Sequence, residues 1–220
     1  MSLLETLPRK SVIGLALAAW LGVLVAGFAA LARFDGTPGD PGSPPARWPA
    51  TRVSPADAPM ATLVVVVHPR CPCTRATVAE LARLMARGQG AVEARVLLLA
   101  PSSEEPAWAD TEFASDLARI PGVTVVRDAD GQESKRFGLE TSGHTLLYDA
   151  SGALRFSGGI TPARGHQGDS AGQSDILAVL AGQNLTGASS SVFGCALAAH
   201  RASDADPNPN FRTPTTAIPH

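Results

Sequence analysis

Charge is scarce in this sequence. Asp, Glu, Lys and Arg make up only 17% of its 220 residues, below the usual quarter, and the net charge is -2. That balance gives no electrostatic reason to hold a polyanion, so nucleic acid drops out as a partner class. Cysteine is scarce too, at three residues, an odd number that leaves one thiol outside any pairing within the chain. No internal repeat is present. Apolar residues, by contrast, reach 45%, and with so little charge that excess points to a membrane-embedded part.

The apolar excess concentrates at residues 12–32, an unbroken run of roughly twenty residues, enough at about 1.5 Å per residue to cross a hydrocarbon core of about 30 Å. It exceeds the usual apolar region of a signal peptide, about 7–15 residues, and no clean small-x-small cleavage pattern precedes Arg33. No cysteine follows closely, which argues against a lipoprotein anchor. The expectation is an uncleaved single-pass helix over residues 11–33, rather than a cleaved signal. Arg9 and Lys10 flank it and resist translocation, so residues 1–10 stay in the cytoplasm and the rest crosses to the periplasmic or other extracytoplasmic side of the cell membrane. Thiols there face an oxidising compartment.

Residues 34–59 are rich in Pro and Gly and read as a semi-extended linker. Residues 199–220, with Pro207, Pro209, Pro214 and Pro219, read as a flexible tail. Residues 60–198 form the one folded domain. Within it, residues 63–67 are a short β-branched run, the mark of a strand buried on both faces. Val78, Leu81, Leu84 and Met85 recur at helical spacing over residues 72–87, and Gly88 offers a stop. A strand over 92–99, a helix over 109–120 ended by Pro121, and a strand over 123–126 follow. A short helical piece then ends near Gly138. Residues 145–148 and 154–157 flank an Asp149-Ala150-Ser151-Gly152 turn and form an antiparallel pair. A last helix spans 174–180, with Asp169 or Ser170 near its start. Strands alternating with helices in this order predict an α/β fold, a three-layer α/β/α sandwich with a mixed sheet.

Pro69-Arg70-Cys71-Pro72-Cys73-Thr74 falls where the first domain strand gives way to its helix. Exposed amides and the helix dipole stabilise an anion there, and a thiolate is one. Pro72 suits the first helical position, which makes Cys71 the N-cap and puts Cys73 in the first turn, both with depressed pKa. A disulfide between them would close a small, strained and therefore labile ring. His68 leaves the strand two residues earlier, at the mouth of the site. Cys195, in Val192-Phe193-Gly194-Cys195-Ala196, either resolves a disulfide with Cys71 or Cys73, pairs between chains, or lies inert among apolar neighbours.

The element order and the position of the cysteine pair resemble the thioredoxin superfamily over about residues 62–180. The resemblance is closest to membrane-tethered members of its peroxiredoxin-like and cytochrome-maturation (TlpA-like) branch, including a group labelled RedB. It implies that Cys71 and Cys73 are catalytic in thiol–disulfide exchange with an extracytoplasmic redox partner protein, a reaction that requires no cofactor. Thr145-Leu146-Leu147-Tyr148 resembles the strand after the family's cis-proline, which puts His144 at the proline position and Thr145 beside the site. Two departures stand out. One residue, not two, separates the cysteines, and His68 and Arg70 stand where peroxiredoxins need their threonine, which argues against peroxidase activity. Sco-type copper proteins of the superfamily use a histidine in this region with two cysteines, so the resemblance also implies possible copper binding or delivery to a metalloprotein through Cys71, Cys73 and His144. The polar stretch over residues 158–170 matches the loop that borders the active cysteines in thioredoxin-like folds, so Arg164 could raise the local positive potential and His166 could do the same or act as a ligand. A tethered, non-catalytic interaction module is the remaining alternative.

Overall fold

The computed structural model describes residues 9–197 apart from Ala58, Gln89 and Thr186. The tail expected at 199–220 lies outside them. The first element, α1 (Arg9–Gly36), carries the apolar run and extends it by a turn. It is long and apolar enough to cross a membrane, and its apolar side chains are exposed.

The domain begins at β1 (Ala61–Val67), followed by α2 (Thr74–Arg87), β2 (Val92–Ala100), a 3-10 turn (Pro106–Ala109), α3 (Glu112–Arg119), β3 (Val123–Ala129), α4 (Gln132–Arg136), β4 (His144–Tyr148), β5 (Leu154–Gly159), α5 (Ala171–Leu180) and β6 (Ala188–Ser189). The six strands form one sheet in the order β3-β2-β1-β4-β5-β6. β1 pairs parallel with β2 and antiparallel with β4, and β4 pairs antiparallel with β5, so the sheet is mixed as expected. The turn between β4 and β5 closes on Asp149, whose Oδ1 accepts from the amides of Ser151 and Ala153, and Gly152 supplies the positive φ of 77°.

The central β1 explains its own sequence. Leu63, Val65 and Val67 face α2, α3 and α5, while Val64 and Val66 face the opposite layer, and all five are fully buried. Burying each such side chain stabilises the fold by roughly 1.5–3 kcal/mol. The opposite layer is the surprise: α4 covers only part of it. Residues 34–59, expected as a linker, supply much of the rest. Trp48 packs edge-on against Phe137 and Tyr148, with ring centroids 5.2 Å apart in both cases, and Val53 is buried. The Tyr148 hydroxyl donates to the Pro45 carbonyl, and Ser43 donates its amide to Gly138. Gly42 and Gly138 allow this approach: a Cβ on either would lie about 2 Å from a carbonyl oxygen of the other segment. The extended character follows from the prolines; the docking follows from Trp48.

Three other elements differ from expectation. The helix expected over 109–120 divides at Asp110 and Thr111, and Thr111 takes the N-cap position of α3 in extended conformation. The last helix starts earlier, at Ala171, because the Ser170 hydroxyl accepts from the Gln173 amide. The two-residue strand β6, along β5, had no pattern long enough to be read.

Candidate functional site

At the C-terminal end of β1 the chain turns sharply before α2. The Cys71 amide donates to the His68 carbonyl at 3.1 Å, Thr74 donates its amide to the Cys71 carbonyl at 3.0 Å, and its hydroxyl donates to His68 at 2.8 Å. This turn delays the helix. α2 begins at Thr74 with Cys73 as its N-cap, so the expectation that Cys71 caps the helix and Pro72 opens it is shifted by two residues. Pro72 lies exposed in the turn.

Cys195 is the residue that completes the cluster. After β6 the chain runs past Gly158 and Gly159 and bridges Thr141 through Ala196, and the Cys195 carbonyl accepts from the Ser142 amide at 2.9 Å. Gly194 permits the crossing, since a Cβ there would stand 1.8 Å from the Ser142 carbonyl. The result sets the Cys195 Sγ 2.9 Å from the Cys71 Sγ. The sulfurs of Cys71, Cys73 and Cys195 all lie within 4.8 Å of one another, and all three cysteines are free.

The three thiols are not equivalent. A hydrogen bond from Cys195 is the largest influence on Cys71; burial opposes it, backbone amides of Cys195 and Cys73 add to it, and the outcome is a pKa lowered to about 5. Burial pushes the Cys73 thiol up, helped by the charge on Cys71, while Arg164 and the Gly165 amide pull the other way. Cys195 is held protonated, chiefly as the hydrogen-bond donor to Cys71. Cys71 is thus the thiolate and Cys195 the thiol beside it.

The loop over residues 158–170 does border the sulfurs. Arg164 donates to the Gly194 carbonyl next to Cys195, and its Nε donates to the Thr37 carbonyl at 3.2 Å. Its guanidinium also stacks 5.0 Å from the Phe34 ring at the end of α1. His166 is exposed and its Nδ1 contacts the Arg164 carbonyl at 2.8 Å, so it turns back onto its own loop. His68 is fully buried: its Nδ1 accepts from the Arg70 amide at 3.1 Å, and its ring meets Trp108 edge-on at 5.3 Å.

His144 does not join the thiols. Strand alternation puts it on the same face as Leu146 and Tyr148, toward Asp40 of the docked linker, while Thr145 turns to the face of Leu147 and α2. Its Nε2 contacts the Ser157 hydroxyl at 2.9 Å. The Cys71, Cys73 and His144 ligand set therefore does not assemble; among the described residues, Cys195 takes the third place.

Two supporting residues were missed from sequence. Trp108 packs beside His68 and lies 5.2 Å from the Arg70 guanidinium carbon; nothing in its neighbourhood signals this. Glu80 is buried on α2 and accepts from the Gly168 amide at 2.7 Å and from Gln173 Nε2 at 2.6 Å, tying the Arg164 loop to the helix of Cys73. An acid four residues before Leu84, on the apolar stripe, was the available clue.

The chain has a thioredoxin-like α/β/α fold with three thiols gathered where β1 meets α2. No protein-family model matches the sequence, and no curated protein does. Among solved structures, a hypothetical protein of Sinorhizobium meliloti is similar at TM-score 0.53 and 23% identity, covering 64% of this chain and 79% of that one. An uncharacterized conserved protein of Geobacillus kaustophilus gives TM-score 0.53 at 15% identity, covering 73% and 90%. A secreted disulfide oxidoreductase of Mycobacterium tuberculosis aligns at TM-score 0.39 and 18% identity, over 56% and 82%. At these identities the first two speak for the fold alone.

Proposed function

We propose that this protein is a membrane-anchored, extracytoplasmic thiol–disulfide oxidoreductase in which Cys71 attacks and Cys195 resolves. The observation that carries this reading is the 2.9 Å approach of the two sulfurs at the start of α2. The Cys71 thiolate attacks one sulfur of a partner's disulfide, forming a mixed disulfide and releasing the partner's other sulfur as a thiolate. The Cys195 sulfur then attacks Cys71, its proton passing to the departing partner thiolate. The partner gains two electrons and one proton from the chain, its first-released thiolate takes a second proton from water, and the chain ends with a Cys71–Cys195 disulfide. Run backwards, the same steps oxidise the partner. Cys73 stays outside the bond, next to it. This replaces the Cys71–Cys73 pair with a long-range one, which avoids the small strained ring. The anchor reading rests on the length and exposure of α1 together with Arg9 and Lys10, which precede its apolar run.

The test is a redox titration of the full chain in detergent, with the disulfide mapped by proteolysis. A reversible two-electron couple on Cys71–Cys195 is expected. Cys71→Ser abolishes it, Cys195→Ser leaves a trapped mixed disulfide with a small disulfide substrate, and Cys73→Ser retains it. A couple that survives Cys195→Ser unchanged would falsify the assignment.

A further inference from the structure

The third sulfur has no part in that exchange, yet it is not placed as a bystander. Cys73 caps α2, Cys71 precedes it by two residues in the same turn, and Cys195 arrives from the far end of the described chain, so two distant backbone segments bring three sulfurs within 4.8 Å of one another. Disulfide exchange needs only two of them. We infer that the reduced protein binds one monovalent copper ion through the sulfurs of Cys71, Cys73 and Cys195.

Soft thiolates select soft, monovalent copper, and three of them satisfy a trigonal ion. With metal–sulfur bonds of about 2.3 Å, a trigonal centre sets its sulfurs about 4 Å apart. The 4.8 Å envelope accommodates this after Cys71 and Cys195 separate by about 1 Å, a side-chain rotation. Zinc prefers four protein ligands in a closed site, and no fourth Cys, His, Asp or Glu atom joins the group among the described residues. Three thiolates around one monovalent cation leave two negative charges. Arg164 faces Cys73 and Cys195, the Gly165 amide faces Cys73, and the Cys73 and Cys195 amides face Cys71, all positive.

The site goes beyond disulfide exchange and excludes it: a Cys71–Cys195 disulfide removes two of the three ligands. The reduced full chain, in detergent and without oxygen, is titrated with monovalent copper against a chromophoric chelator, and X-ray absorption reads the ligands. One copper per chain is expected, with three sulfurs at about 2.3 Å and no imidazole. Cys73→Ser and Cys195→Ser each weaken binding by roughly a hundredfold, His144→Ala leaves it unchanged, and the oxidised protein binds none. Wild-type binding in Cys73→Ser, loss of copper in His144→Ala, or retention of zinc against copper overturns the site. A chain that cycles its disulfide but takes up no copper overturns the copper site and leaves the oxidoreductase standing; copper uptake without a redox couple does the reverse.

Discussion

His144 shows how one residue changes meaning with its neighbours. At the sequence position where thioredoxins carry proline it suggested a ligand, but it lies fully buried against Ser157, outside the group of three sulfurs. Burial lowers its pKa to about 4, from an ordinary 6.5, with Asp40 pulling weakly the other way. A folded-state pKa below the unfolded one means the unfolded chain binds the proton first. Stability is therefore complete above about pH 6.5 and declines as pH falls toward 4, by roughly 3 kcal/mol from this group. Urea midpoints measured from pH 7 to pH 4.5 should fall, and His144→Gln, which cannot titrate, should flatten the curve. An equal fall in that variant would assign the effect to other groups. Cys71 and Cys195 make the complementary point: their unequal thiols arise from a contact across 124 positions of chain.

At the scale of elements, the docked segment over residues 34–59 does the work of a helix that the fold lacks there. It covers Val64, Val66, Leu146 and Tyr148 with Trp48 and Val53. Trp48→Ala removes the edge-on contacts to Phe137 and Tyr148 and should cost about 2–4 kcal/mol, read as a lowered denaturation midpoint. A surface linker would show a change within about 0.5 kcal/mol instead. The same segment brings α1 to the site, because the Arg164 amide donates to Asp35 at 3.1 Å. The thiols consequently stand close to the end of α1.

For the whole molecule, the proposed oxidation would link the start of α2 to the segment that carries Cys195. A bond between Cys71 and Cys195, 124 positions apart, closes nearly the entire domain, and chain entropy predicts a stabilisation of about 4–5 kcal/mol. Scanning calorimetry under oxidising and reducing conditions should separate the two forms by about 10 °C. Cys195→Ser should remove the difference while Cys73→Ser keeps it. A short Cys71–Cys73 link would give no such gain, since its loop is minimal.

Much of the fold was legible in the chain. The β-branched run of β1 can only be buried on both faces, the spacing of Val78, Leu81, Leu84 and Met85 can only be a helix face, and Asp149 to Gly152 is turn chemistry wherever it occurs. The junction of Cys71 and Cys73 with a helix start was equally local. What tertiary structure decided is non-local: the face His144 takes, the docking of Trp48 through Gly42 and Gly138, and above all the partner of Cys71. Cys195 sat in a short apolar stretch with no periodic signal, and its role comes from β6 pairing with β5 and from Gly194 crossing Ser142. Periodicity reports which side of an element is buried; it carries no record of which distant segment lies against it.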